Sequence, residues 1–146
     1  MGLREKLEGR RVYFDANIFI YLLEGYKELE WQIEEIRSSL VLGECEIFTS
    51  ELTLCEILVY PLGNQDNNSV EQYRAFLERS GAFQLIPTSK DTYIRASEYR
   101  ALLRLRTPDA IHVATALESE CDIFLTNDRN INIAGLNIEL VHIGRF

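Results

Sequence analysis

Val12-Tyr13-Phe14-Asp15-Ala16-Asn17-Ile18-Phe19-Ile20 is the stretch that decides the fold. Three apolar residues run together without a polar alternate, stop at an acid, and give way to apolar residues at helical spacing. A strand with one wet face would alternate; an unbroken apolar run predicts a strand covered on both faces, as in parallel sheets flanked by helices. The pattern repeats outward. Ile18, Phe19, Tyr21, Leu22 and Leu23 predict a helix ending near Gly25, and Leu29, Ile33, Ile36 and Leu40 a second over residues 29–42, with Gly43 as its stop. Residues 46–49 read as a second strand. Ser50 then caps a helix through Leu52, Leu54, Cys55, Ile57 and Leu58 to Tyr60, closed by Pro61. Residues 61–68 read as a loop, 70–79 as a helix and 83–86 as a third strand. Thr88 or Ser89 starts a helix over 90–104, and Thr107-Pro108 starts another that runs through Ala110, Ile111, Val113, Ala114 and Leu117. Residues 122–126 and 138–143 supply the fourth and fifth strands. Strands alternating with helices predict an α/β fold: a short parallel sheet of about five strands with helices on both faces, formed by one domain over 1–146.

Composition sets bounds on this picture. The chain has 146 residues, 47% of them hydrophobic, enough for a substantial core. Three cysteines at wide spacing, Cys45, Cys55 and Cys121, make neither a disulfide framework nor a zinc pattern, and reduced thiols in a cytoplasmic protein are the expectation. The N-terminus is charged and lacks an apolar signal core, and no apolar run reaches the roughly 20 residues of a membrane span. A net charge of −8 excludes a broadly basic nucleic-acid surface, so any such surface is local.

The chemistry collects where strands end. In open parallel sheets ligands bind beyond the carboxyl ends of the strands. Asp15 follows the first strand directly, and Asp128 follows the fourth by two residues. Glu56 interrupts an apolar helix after the second strand, where a lone buried carboxylate would need a partner or a metal. Asp109 lies in the first turn of the helix before the fourth strand. Taken singly, Asp109 is also explained as an acid complementing a helix dipole, and Asp128 as a turn residue in Asn127-Asp128-Arg129-Asn130. Taken together, converging carboxylates suit hard divalent cations, which orient water and phosphate for hydrolysis.

Four stretches carry a family resemblance: Val12–Ile20 as quoted; Thr49-Ser50-Glu51-Leu52-Thr53-Leu54-Cys55-Glu56-Ile57-Leu58; Arg106-Thr107-Pro108-Asp109-Ala110-Ile111-His112-Val113-Ala114-Thr115-Ala116; and Cys121-Asp122-Ile123-Phe124-Leu125-Thr126-Asn127-Asp128-Arg129-Asn130-Ile131. In that order they resemble the PIN-domain family, and within it the VapC-like toxins. The resemblance implies a PIN-like fold and Mg²⁺- or Mn²⁺-dependent endoribonuclease activity, together with a homodimer and inhibition by an antitoxin protein. Carried over by position, it implies Asp15, Glu56, Asp109 and Asp128 as catalytic acids, with Asp15, Asp109 and Asp128 on the metal and Asn17, Thr126 and Asn127 in support. Two departures mark this chain. Ala16 stands where a small hydroxyl residue is common, and no further acid follows Asp109, which makes one metal the expectation rather than two. A catalytically weak or inactive PIN-fold module that binds RNA or antitoxin is the alternative.

Arg95, Arg100, Arg104 and Arg106 lie on or just after one helix and are candidate RNA contacts, with Arg74 and Arg79 before them. His112, one turn from Asp109, is expected to be a packed or surface histidine. Tyr21 and Trp31 in the N-terminal helices read as core or interface residues, and the resemblance makes Tyr21, Tyr26 and Trp31 candidates for the antitoxin or dimer surface. A receiver-like phosphoacceptor domain fits less well, because strand three ends Ile86-Pro87-Thr88 without an acid and no lysine follows Lys90.

Overall fold

The computed structural model describes all of residues 1–146. Five strands form one all-parallel sheet: β1 (Arg11–Phe14), β2 (Glu46–Ser50), β3 (Gln84–Ile86), β4 (Ile123–Thr126) and β5 (Glu139–His142), in the order β3-β2-β1-β4-β5. Seven helices cover it: α1 (Leu3–Leu7), α2 (Ala16–Glu24), α3 (Glu30–Leu42), α4 (Leu52–Gly63), α5 (Asn67–Arg74), α6 (Lys90–Leu103) and α7 (Thr107–Glu118). Each expected strand is present to within a residue or two.

Period-two alternation splits the apolar strands between two cores. Val12, Phe14, Ile47, Ile123 and Leu125 point to the core shared with the N-terminal helices. Tyr13, Phe48 and Phe124 point the other way, to the core under α6 and α7. Tyr13 stands in register with both Phe48 and Phe124. The unbroken apolar runs therefore mean two buried faces, as their sequence requires.

Three differences from the sequence expectation have physical causes. α1 was not anticipated; it buries Leu3 and Leu7, four residues apart, against the first core. α4 passes through Pro61 to Gly63, because a proline in the last turn costs the helix only one late hydrogen bond. The expected loop over 61–68 shrinks to 64–66: Asp66 caps α5 by accepting from the Ser69 amide at 3.1 Å, which draws Asn67 and Asn68 into the helix. α4 is also less buried than its composition suggests. Only Thr53, Ile57 and Pro61 are buried, while Cys55, Val59, Tyr60 and Leu62 are exposed.

No helix is long and apolar enough to cross a membrane. All three cysteines are free. Burial pushes the Cys45 thiol up to about 11 and the Cys121 thiol up to about 12, whereas Cys55 is exposed. A raised thiol pKa leaves little thiolate, the reactive form, near pH 8. Titration with a thiol reagent there is expected to modify Cys55 fast in the native protein, and Cys45 and Cys121 only after denaturation.

Candidate active site

β1 is the switch point of the sheet. From it the chain builds β2 and β3 on one side, then crosses to build β4 and β5 on the other. In such sheets a crevice opens beyond the carboxyl ends of the strands flanking the switch point, here β1 and β4, and Asp15 and Thr126 stand at those ends.

Asp15, the residue after β1, caps α2. Its Oδ1 accepts from the Ala16 amide at 2.8 Å, and its Oδ2 accepts from the Thr126 hydroxyl at 2.6 Å and more weakly from Asn17 Nδ2 at 3.3 Å. The side chain is buried, only 6% of the residue remaining exposed. Burial raises its carboxyl pKa; the facing His112, the Thr126 hydroxyl and the Ala16 amide pull down against it, and the charge of Asp109 adds to the rise. Asp15 is thus an acid held out of water, and its charged form gains from any added cation.

Thr126 ends β4 and ties the crevice together. Its hydroxyl donates to Asp15 and accepts from the Asp128 amide at 3.0 Å and from Asn17 Nδ2 at 3.2 Å. Asn17 Oδ1 accepts from the Asn127 amide at 3.2 Å, and Asn127 Nδ2 donates to the Tyr21 hydroxyl at 3.0 Å. The three supporting residues therefore lock the loop after β4 onto the start of α2. Asp128 serves its turn with one oxygen, Oδ1 accepting from the Asn130 amide at 2.9 Å, while Oδ2 lies 3.6 Å from the Arg106 guanidinium.

Asp109 sits one residue inside Pro108 in the first turn of α7, where the helix dipole favours a carboxylate. It is buried, and its Oδ2 accepts from Arg106 Nε at 3.0 Å. Arg106 thereby faces both Asp109 and Asp128 while its side chain stays largely exposed. It alone of the four candidate RNA arginines borders the acids. Arg95 faces Glu118 at 4.0 Å, and Arg100 and Arg104 are exposed along α6 and at its left-handed end. Arg74 and Arg79 pair with Glu78 and Glu71. Tyr21 stacks on Tyr26 at 4.9 Å, and Trp31 is exposed on α3.

Glu56 reaches the same crevice from α4, and its Oε1 contacts Nε2 of His112. His112 is both packed and site-facing. It has no exposed surface, yet its Nε2 lies 4.0 Å from Asp15 Oδ1, and its Nδ1 is 2.6 Å from the Tyr13 hydroxyl. Its place one turn beyond Asp109 was the available signal. The Tyr13 hydroxyl escaped notice inside an apolar strand, although a buried phenol calls for a polar partner.

The donor set has the chemistry of a hard-cation site: carboxylate oxygens from three elements, with hydroxyl and amide support. Arg106 already brings positive charge to two of them. No three acidic, histidine or cysteine side chains converge closely enough to hold one ion jointly in this arrangement. The structure thus gathers the acids into one crevice and leaves them short of a closed coordination shell.

An acid-lined crevice at the switch point of a parallel sheet defines the class, and the chain belongs to the PIN domain family, whose model matches residues 12–135. PIN domains are generally nucleases. Among solved structures, the chain is similar to one in a toxin–antitoxin complex from Klebsiella pneumoniae, with TM-score 0.63, 24% identity, and coverage of 90% of this chain and 97% of that one. It is also similar to the Mycobacterium tuberculosis toxin VapC20, described as cleaving the sarcin–ricin loop, with TM-score 0.69, 14% identity and 88% and 98% coverage. Rickettsia felis VapBC2, bound to a DNA fragment from its promoter, matches with TM-score 0.67, 16% identity and 90% and 98% coverage. At these identities the likeness is one of fold. No curated protein matches the chain in sequence.

Proposed function

We propose that this PIN domain is a divalent-metal-dependent endoribonuclease that acts in the cytoplasm as the toxin of a toxin–antitoxin pair, as a homodimer. One observation carries the reading: Asp15, Asp109 and Asp128 come from three separate elements to one end of the sheet, Asp15 and Asp109 buried, with Arg106 facing Asp109 and Asp128 and the charge of Asp109 felt at Asp15. Acids gathered from distant parts of a chain repel one another, and a bound divalent cation relieves that repulsion more fully than the one arginine beside them.

Asp15, Asp109 and Asp128 would hold Mg²⁺ or Mn²⁺, which supplies the positive charge that draws in phosphate oxygens and makes water a better nucleophile. The chain's own residues do the rest. Asp15 is fixed by Thr126 and Ala16, so its carboxylate cannot turn away from the crevice. Asn17 and Asn127 hold the loop that carries Asp128. Arg106, exposed at the rim, exchanges its carboxylate partners for an RNA phosphate. Glu56 presents its second oxygen to water in the crevice. The toxin assignment is supported by the shared fold of the Klebsiella and Rickettsia chains.

The test is cleavage of a single-stranded RNA substrate. Turnover is expected with Mg²⁺ or Mn²⁺, to vanish with excess EDTA, and to return when metal is restored. Metal-independent cleavage would sink the reading. RNA binding without turnover in any metal would instead favour a non-catalytic module, which Ala16 and the single acid near the start of α7 would suit.

A further inference from the structure

We propose that His112 is a positioning residue, which holds Glu56 over the acid crevice in one orientation, and that Tyr13 fixes the tautomer in which it does so. The part of this inference that concerns turnover rests on the nuclease reading; the part that concerns the tether does not.

Four elements meet at the imidazole. Tyr13 comes from β1, Ser50 from the end of β2, Glu56 from α4 and His112 from α7. The Glu56 carboxylate can only accept, so His112 Nε2 carries a proton, and in the neutral ring Nδ1 accepts from the Tyr13 hydroxyl 2.6 Å away, which itself accepts from the Ser50 amide at 3.0 Å. With Nδ1 accepting, the proton of the neutral ring sits on Nε2 and is donated to Glu56 Oε1. This assignment follows from the hydrogen-bond network around the ring.

The tether has rigid anchors. Tyr13 is fully buried and stacks on Phe124, with ring centroids 5.2 Å apart and planes 13° apart, and the imidazole meets its ring edge-on at 5.7 Å. Ser50 also accepts from the Leu52 amide at 3.0 Å through its hydroxyl, so the Tyr13 contact organises the start of α4 as well. Glu56 itself stands on a helix whose neighbouring Cys55, Val59 and Tyr60 are exposed. Nothing else holds its carboxylate, and a free glutamate there would turn out to water. Donation from His112 engages one oxygen, and the other has no hydrogen-bond partner in the chain. Partners of this kind orient a working carboxylate, and their loss commonly costs 10–100-fold in activity or metal affinity.

Two amide substitutions separate the two ends of the ring. In His112→Gln the amide nitrogen reaches the Nε2 position and can still donate to Glu56. In His112→Asn the shorter amide keeps its oxygen near Nδ1 and answers Tyr13 alone. His112→Asn is expected to lower kcat about 10–100-fold with KM for RNA within about threefold, and His112→Gln to stay within about threefold of wild type in both. Thermal melts of each variant separate positioning from unfolding. Nitrogen-15 resonance of the imidazole reads the tether without turnover: Nε2–H is expected in the wild type, and a mixture of tautomers in Tyr13→Phe. Equal kcat for Asn and Gln, losses that follow melting temperature, or an Nδ1–H tautomer in the wild type would each overturn the proposal. A wild type that cleaves no RNA removes the nuclease reading, and the resonance result then decides the tether alone.

Discussion

Asp15→Asn is expected to lower RNA cleavage by about 10²–10³-fold while leaving the protein folded. Asparagine keeps a carbonyl oxygen for the Ala16 amide, so the cap of α2 survives. What disappears is the charge. Asp15 is the most deeply buried of the four acids, and both of its oxygens are engaged, one by the Thr126 hydroxyl and one by the Ala16 amide, with His112 facing it. Exposed carboxylates do not substitute for it, because screening by water weakens their hold on a cation. The measurement is a single-turnover assay on cleanly purified protein, with a circular-dichroism melt as control. Wild-type cleavage by a folded Asp15→Asn protein would refute the assignment of the site.

Phe14→Ala is expected to produce the largest loss of stability. Phe14 has no exposed surface and fills the first core beside Phe19 at 5.6 Å and Phe83 at 6.3 Å, joining β1 to α2 and to the entry of β3. Its removal loses the transfer energy of the ring and leaves a cavity that a rigid sheet cannot close. Such substitutions cost about 3–5 kcal/mol, a large share of a domain's usual total of about 5–15 kcal/mol. The melting temperature should fall on the order of 10 °C. Because Phe14 immediately precedes Asp15, the same variant is expected to lose cleavage near physiological temperature while keeping it in the cold. Denaturant titration measures the first effect and a temperature series the second. A change under about 1 kcal/mol would mean that this core is not organised around β1.

The sheet was legible in the sequence because burial on both faces removes ambiguity. Val12-Tyr13-Phe14 and Ile123-Phe124-Leu125 can only be central strands, and the acid after the first of them marks its carboxyl end. The helix ends were harder. Pro61 was expected to stop α4, yet a proline in a last turn disturbs little, and the Asp66 cap recruited amides that had looked like loop. The single-residue readings of Asp109 and Asp128 were correct as far as they went: one does lie in a helix first turn, and the other does hold its own turn. Their closeness to each other runs through Arg106, which joins them through space and is invisible to local pattern. The apolar run around Glu56 misled in another way, since half of α4 faces outward, and Glu56 is only half-buried, its carboxylate meeting His112. That contact spans 56 residues, and no periodicity reports it. The arginines of α6 looked like a row in sequence, but only Arg106, beyond the end of that helix, reaches the acids.

We propose that a divalent cation sits on Asp15, Asp109 and Asp128 at the carboxyl ends of β1 and β4. A crystal structure grown with Mn²⁺, with anomalous scattering collected at the manganese edge, tests it most directly. The expected result is one anomalous peak touching those three carboxylates, with Arg106 turned away from Asp109 and Asp128. Crystals saturated with Mn²⁺ that show no peak in the crevice, and Arg106 still paired with both acids, would contradict it.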